Sequence, residues 1–160
     1  MQKQGCVPVG CAAFIGEHSF SAPETPVGAG RPDTNDLELA QTFGRKVKDA
    51  LAGFQSVDTI PEITVTGAFP YKETPPKVPV DFIAVSDDCT QCGTCEEVCP
   101  VNAIDLKNDI EVNQETCIRC CACIKICPEQ ARSVKPSPIK DIAIRLTDMC
   151  QTRKEPVFFF

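Results

Sequence analysis

The sequence predicts an α+β chain: one strand and one helix of an incomplete α/β segment, followed by a small pseudo-two-fold unit of two short hairpins and helices. Three observations predict it. A cysteine pattern is written twice, each position repeated 28 residues later. A short apolar run and a long amphipathic stretch lie near the start of the chain. Five prolines between residues 57 and 80 separate these two parts.

Taken in order, residues 1–56 read as a piece of an α/β unit. Gly10 to Ile15 is a short apolar run of the kind shown by a strand buried on both faces. A polar loop rich in Pro and Gly runs from Gly16 to Pro32. A helix is expected from about Asp33 to Phe54, capped by Asp33 or Thr34, with Asp36 and Glu38 suiting the positive end of its dipole. Leu37, Ala40, Phe43, Val47, Leu51 and Phe54 recur every three or four positions as one apolar face, and Gly53 is a stop signal.

Residues 57–80 contain Pro61, Pro70, Pro75, Pro76 and Pro79 and read as a stiff linker. Residues 81–135 hold the cysteine repeat. Within them Phe82, Ile83 and Val85 are placed to pair with Ser133 to Lys135, and Asn108-Asp109 marks a hairpin turn between Ala103 and Asn113. Val98, Ile104, Ile110, Val112, Ile118, Ile124 and Ile126 are the expected apolar jacket. Residues 136–160 form a helix and tail. Ser137 caps it, Pro138 takes its first position, and Ile139, Ile142, Leu146 and Met149 or Cys150 make its stripe. Phe158, Phe159 and Phe160 close the chain and are expected to pack on this chain or on a partner.

At 160 residues the chain suits one ordinary domain or two small ones, and a hydrophobic fraction of 42% excludes disorder throughout. A net charge of −6 argues against a nucleic-acid partner. No apolar run approaches the ~20 residues that span a bilayer. The first residues, broken by Pro8 and Gly10, make a poor secretory leader, so the expected compartment is cytoplasmic.

Nine of the 12 cysteines fall between residues 89 and 127. Side chains so close in sequence converge on metal better than on disulfide partners. Cys89 to Pro100 reads CTQCGTCEEVCP and Cys117 to Pro128 reads CIRCCACIKICP, both C-x2-C-x2-C-x3-C-P. This spacing is the bacterial ligand run for 4Fe–4S clusters, in which the fourth cysteine serves the other cluster when two are present. Three cysteines two apart wrap one cluster, and the fourth begins a different element that proline turns away. One cluster is then expected on Cys89, Cys92, Cys95 and Cys127, and the other on Cys117, Cys120, Cys123 and Cys99. Zinc is the alternative. Two C-x2-C pairs would suit it, but four ligands per ion do not call for a third cysteine and a Cys-Pro, twice.

From Phe82 to Lys135 the chain resembles bacterial-type ferredoxins with two 4Fe–4S clusters. Ala12 to Ser21 (AAFIGEHSFS) and Gly30 to Val47 (GRPDTNDLELAQTFGRKV) resemble the last strand, loop and helix of a flavodoxin-like domain. With Gly67 to Pro76 (GAFPYKETPP) and Arg153 to Phe160 (RKEPVFFF), the whole is similar to the C-terminal part of bacterial flavodoxin–ferredoxin fusion proteins, common in anaerobes. The resemblance implies that residues 1–56 are the C-terminal remnant of a flavodoxin-like domain. It starts at about the fifth strand, without the phosphate loop and the usual loops flanking the flavin, so no self-contained FMN site is expected. Residues 1–56 are also expected to leave an apolar face uncovered.

Other residues carry weaker signals. Cys121 diverges from Cys120 and is read as a packing or supporting side chain; Cys6, Cys11 and Cys150 lack ligand spacing and are read as packing too. His18, the single histidine, has no nucleophile or metal partner in the pattern and is read as structural. Gly28-Ala29-Gly30 lacks the strand and third glycine of a dinucleotide loop. With Tyr71 the sole tyrosine and no tryptophan, no aromatic sandwich for a flavin is visible. Asp87, Asp88, Glu96 and Glu97 form a solvated acidic surface able to steer a basic partner such as a reductase. The leading expectation is a ferredoxin-type carrier or the electron-entry module of a flavoprotein. The competing ones are a flavin-dependent oxidoreductase wired by the clusters and a redox-sensing structural module.

Overall fold

The computed structural model describes residues 5–73, 76–107 and 109–160, leaving aside the side chain of Asp109. The chain is α+β. Its strands are β1 (Cys11–Ala13), β2 (Ile83–Val85), β3 (Ile104–Asp105), β4 (Asp109–Val112), β5 (Arg132–Val134) and β6 (Val157–Phe159). Its helices are α1 (Thr34–Gly53), α2 (Thr94–Glu97), α3 (Ala122–Lys125) and α4 (Pro138–Met149), with a single 3-10 turn at Val57–Thr59. Residues 60–73 and 76–82 carry neither helix nor strand. Among the described residues, no helix is long and apolar enough to cross a membrane.

The chain divides into two units. The first gathers Met1–Glu17, Gly30–Thr74 and Thr152–Phe160; the second gathers His18–Ala29 and Pro75–Gln151.

In the first unit, α1 starts where the sequence places it. Asp33 caps it by accepting from the Asp36 amide at 3.0 Å, and Asp36 returns the bond from the Asp33 amide at 2.9 Å. Asp36 is fully buried, which its ionised form tolerates only with partners. Arg31 supplies them through a two-pronged guanidinium contact, one prong at 2.5 Å to Oδ1. Arg153 adds a 2.6 Å contact to Asp33, and Arg31 also donates to the Lys154 carbonyl at 3.3 Å. The C-terminal segment is thereby tied to the start of α1.

Two expectations change here. The run at Gly10 to Ile15 is not a strand buried on both faces. β1 pairs antiparallel with β6 (Cys11 opposite Phe159, Ala13 opposite Val157), and Ala12 and Ala13 are exposed, because among the described residues of this unit the sheet has two strands and a single helix, α1, packed on it. The apolar face of α1 is only partly covered. Phe43 and Val47 press on Gly10, while Leu37 and Leu51 stay about half exposed. The terminal phenylalanines supply much of the cover. Phe158 stacks on Phe43 at 5.5 Å and meets Phe14 edge-on at 5.8 Å, and Phe160 lies 5.4 Å from Phe43.

The second unit is built from short elements. β2 pairs antiparallel with β5 (Ile83 opposite Val134), as the sequence suggests, and β3 pairs with β4 as a hairpin. Asn108 of the expected turn lies outside the described residues. Phe82, Ile83, Ala103, Ile104, Val112 and Ile139 form the core together with Cys95, Cys117, Cys121 and Cys123. Ser137 and Pro138 open α4 as expected, and Ile139 and Ala143 bury its inner face. The expected jacket is incomplete: Val98 and Ile126, at the C-caps of the one-turn helices α2 and α3, are exposed, and so is Ile118, in the loop between Cys117 and Cys120. Residues 18–25, far away in sequence, cover part of this core. Phe20 meets Phe82 edge-on at 6.4 Å, and Glu24 pairs with Lys140 at 2.8 Å.

Arg153 holds the Asp33 carboxyl down to about 2, and Arg31 holds that of Asp36 below the usual carboxylate range. A lowered folded-state value stabilises above the unfolded value and is lost as pH falls through the folded one. Thermal stability of α1, followed by far-ultraviolet circular dichroism, should therefore be steady above about pH 4 and decline toward pH 2. Asp33→Asn should shrink that decline, and added salt should weaken it because Asp33 and Arg153 are partly exposed. An identical decline in Asp33→Asn would contradict this account.

Candidate metal centre

Each cysteine run occupies the same local frame. Cys89 and Cys92 lie in the loop before α2, Cys95 lies within it, and Cys99 follows its C-cap Val98. Cys117 and Cys120 precede α3, Cys123 lies within it, and Cys127 follows its C-cap Ile126. The backbone repeats as closely as the sequence. Every described non-glycine residue with positive φ belongs to this frame: Gln91 with Arg119 (54° and 61°), Asn102 with Gln130 (49° and 51°), and Cys121, at 57°, with Gly93, at 88°. Members of each pair are 28 positions apart. Those at Gln91, Gly93, Arg119 and Cys121 fold the chain back between successive cysteines so that their side chains face one space, and those at Asn102 and Gln130 turn the chain away after each Cys-Pro.

Two cavities result. One is lined by Cys89, Cys92, Cys95 and Cys127. The other is lined by Cys99, Cys117, Cys120 and Cys123, with Cys121 beside them. Each cavity therefore has three cysteines from one run and the fourth from the other. Among the described residues no group of three or more His, Cys, Asp or Glu side chains is drawn together as a site for a single metal ion; the cysteines line cavities instead. An all-sulfur donor set in quartets suits an iron–sulfur cluster.

The electrostatics are uneven. Burial pushes the Cys123 thiol up to about 11, and the Arg132 guanidinium pulls against it. The Thr94 hydroxyl, 3.4 Å from Cys92 Sγ, lowers the thiol of that exposed residue. Among the described residues, backbone amides point at sulfur from Ala103 N–H to Cys99 at 3.1 Å and from Arg119 N–H to Cys117 at 3.4 Å. A bound cluster would draw the cysteines into their thiolate form despite burial.

The remaining candidates fall away from the cavities or beside them. Cys121 is buried, its thiol pushed up to about 12 by that burial and by the neighbouring cysteines. The sequence singles it out as a spare thiol but not as the mate of Gly93; aligning the repeats position by position would have found that. Cys6 and Cys150 are exposed and Cys11 is half-buried, so packing is not the role of Cys6 or Cys150: one precedes β1 and the other caps α4 at the surface. His18 Nδ1 accepts from the Phe20 amide at 3.1 Å, and its carbonyl accepts from Lys125 at 3.3 Å, bonds that hold the loop. Asp87, Asp88 and Glu97 are exposed, and Glu96 is half-buried.

Residues 82–128 match the family model described as a 4Fe-4S dicluster domain. A "Ferredoxin-like protein in nif region" of Sinorhizobium fredii (strain NBRC 101917 / NGR234) is 54% identical over 28 residues, which is 18% of this chain and 44% of that protein. The chain thus matches less than half the length of that curated relative. No solved structure matches the chain. Together the matches and the 12 cysteines support iron–sulfur electron transfer by this segment.

A Cβ added at Gly93 would meet nothing within 4 Å, so only its backbone resists substitution. Gly93→Ala should cost about 1–2 kcal/mol in denaturant unfolding, and Gly93→Asn less, since asparagine tolerates the left-handed region. An unchanged midpoint for Gly93→Ala would show that the turn is not held as described.

Proposed function

We propose that the second unit binds two 4Fe–4S clusters and passes electrons one at a time. Cys89, Cys92, Cys95 and Cys127 would hold one, and Cys117, Cys120, Cys123 and Cys99 the other. The observation that carries this reading is the crossed lining of the two cavities, each with three cysteines of one run and the fourth of the other. When bound, the clusters supply the one-electron chemistry. The chain's own residues supply four sulfurs per cluster, amides directed at Cys99 and Cys117 that ease reduction, and apolar walls that exclude water.

Exchange with a partner needs a short path from cluster to surface. Cys92 and Cys120, in equivalent places in the two runs, are exposed and offer one edge of each cavity. The exposed Asp87, Asp88 and Glu97 favour a basic redox partner over nucleic acid. The resemblance of residues 12–21 and 30–47 to a flavodoxin-like segment supports a flavoprotein context, with FMN supplied by another chain or segment. Cysteines spaced as cluster ligands rather than as disulfide partners support a reducing compartment such as the cytoplasm.

Anaerobic reconstitution with iron and sulfide tests the proposal. About eight irons per chain and a broad absorption band near ~400 nm, bleached by dithionite, are expected. Uptake of two to four zinc ions in competition with iron, with no such band, would overturn it.

A further inference from the structure

Ile104 and Arg132 hold the same place in the two repeats, 28 positions apart and each four residues after a Cys-Pro. Ile104 lines the cavity of Cys99, Cys117, Cys120 and Cys123; Arg132 lines that of Cys89, Cys92, Cys95 and Cys127. The pseudo-two-fold is thus broken by exchanging an apolar side chain for a permanent charge. Arg132 is 3% exposed. Its Nη2 donates to the Ile110 carbonyl at 2.7 Å, while its Nη1 is buried without a hydrogen-bond partner among the described residues. A buried, unpaired N–H is rare and calls for an acceptor. The first cavity is where an acidic, sulfur-rich acceptor would sit.

Resting on the function proposed above, we propose that Arg132 sets the two clusters apart in reduction potential, so that the cluster of Cys89, Cys92, Cys95 and Cys127 is reduced first. Reduction makes a cluster one charge more negative. A buried guanidinium in the wall favours that change, because the interior screens it poorly. The second cavity has an apolar wall of Ile83, Val101, Ile104, Val112 and Ile118. What eases reduction there is the pair of backbone dipoles aimed at Cys99 and Cys117, weaker than the full buried charge beside the first cavity. Other charges are weaker opponents. Glu129 also lines the first cavity but is exposed. Lys77 and Arg119 lie beside the second run, less buried than Arg132, and already donate to the carbonyls of Cys117 and Val78. Solvent screens such groups more than it screens Arg132. Arg132 is a positioning residue here: it exchanges no proton and forms no covalent bond.

The test is a potentiometric titration of the reconstituted full chain with dithionite, one electron per cluster, followed by electron paramagnetic resonance and by the contact-shifted β-protons of the cysteines. Wild type should reduce in two steps separated by at least about tenfold in equilibrium constant, ~59 mV for one electron. The first step should move the signals of Cys89, Cys92, Cys95 and Cys127. Arg132→Ile, which copies Ile104, should lower the first step by about tenfold or more and the second by less, since the guanidinium lines the first cavity and reaches the second only through its pull on Cys123; Arg132→Lys should restore most of the separation. Coincident wild-type steps, a first electron on the Cys117 set, or an unmoved first step in Arg132→Ile would each overturn the proposal. Should Arg132→Ile fail to hold both clusters, the wild-type order of reduction decides alone. Wild type that takes up no clusters overturns the proposed function, and this inference with it; two clusters of equal potential overturn this inference only.

Discussion

Cysteines three positions apart face a common space here because the chain between them turns through left-handed backbone, and the second unit is organised around that requirement. Gln91 and Gly93 make the turns in the first run, Arg119 and Cys121 in the second. Each pair of turns leads into a helix of four residues, α2 or α3. So short a helix carries the third cysteine inward and releases the fourth just past its C-cap, where it reaches the other cavity. The following Cys-Pro then leads through another left-handed residue, Asn102 or Gln130, into β3 or β5. Strand pairing closes the unit around cavities that neither run could line by itself.

That arrangement explains why so much of the core is sulfur. Four of the ten residues at the heart of the second unit are cysteines, leaving few aliphatic side chains to hold it. A domain this small needs a further constraint, and ligation across the two runs would provide it. The first unit is held in another way. Its one fully buried helical side chain is a carboxylate, Asp36, neutralised by Arg31, and its apolar cover is a ring cluster centred on Phe43 and Phe158. The two halves of the repeat are also not equal. A buried arginine stands in one where isoleucine stands in the other, so a shared backbone presents two different electrostatic environments.

What was legible in the sequence was what local spacing encodes. The repeat offset, the two cysteine runs, the β3–β4 hairpin and the Asp33 and Ser137 caps all follow from residues close in the chain or from an exact internal match, and the β2–β5 pairing from the short apolar strands that flank the two runs. What escaped was long-range. Nothing local announces that Cys11–Ala13 pairs with Val157–Phe159, or that residues 18–25 cover the core beside Phe82. The apolar jacket was overdrawn at Val98, Ile118 and Ile126, since apolar identity does not say which way a residue at the end of a one-turn helix, or in the loop before one, faces. Cys6 and Cys150 were misjudged by residue type alone, because a cysteine beside an element end can sit at the surface as readily as in the core.

Exchange of the fourth cysteine between the two runs is the central claim, and it separates this account from two independent four-cysteine sites in tandem. The most direct measurement compares Cys127→Ala and Cys99→Ala after anaerobic reconstitution, reading which cysteine β-protons keep their contact-shifted signals. Cys127→Ala should disturb Cys89, Cys92 and Cys95 and spare Cys117, Cys120 and Cys123; Cys99→Ala should do the reverse. If each substitution disturbs the cysteines of its own run and spares the other three, the crossed assignment is wrong.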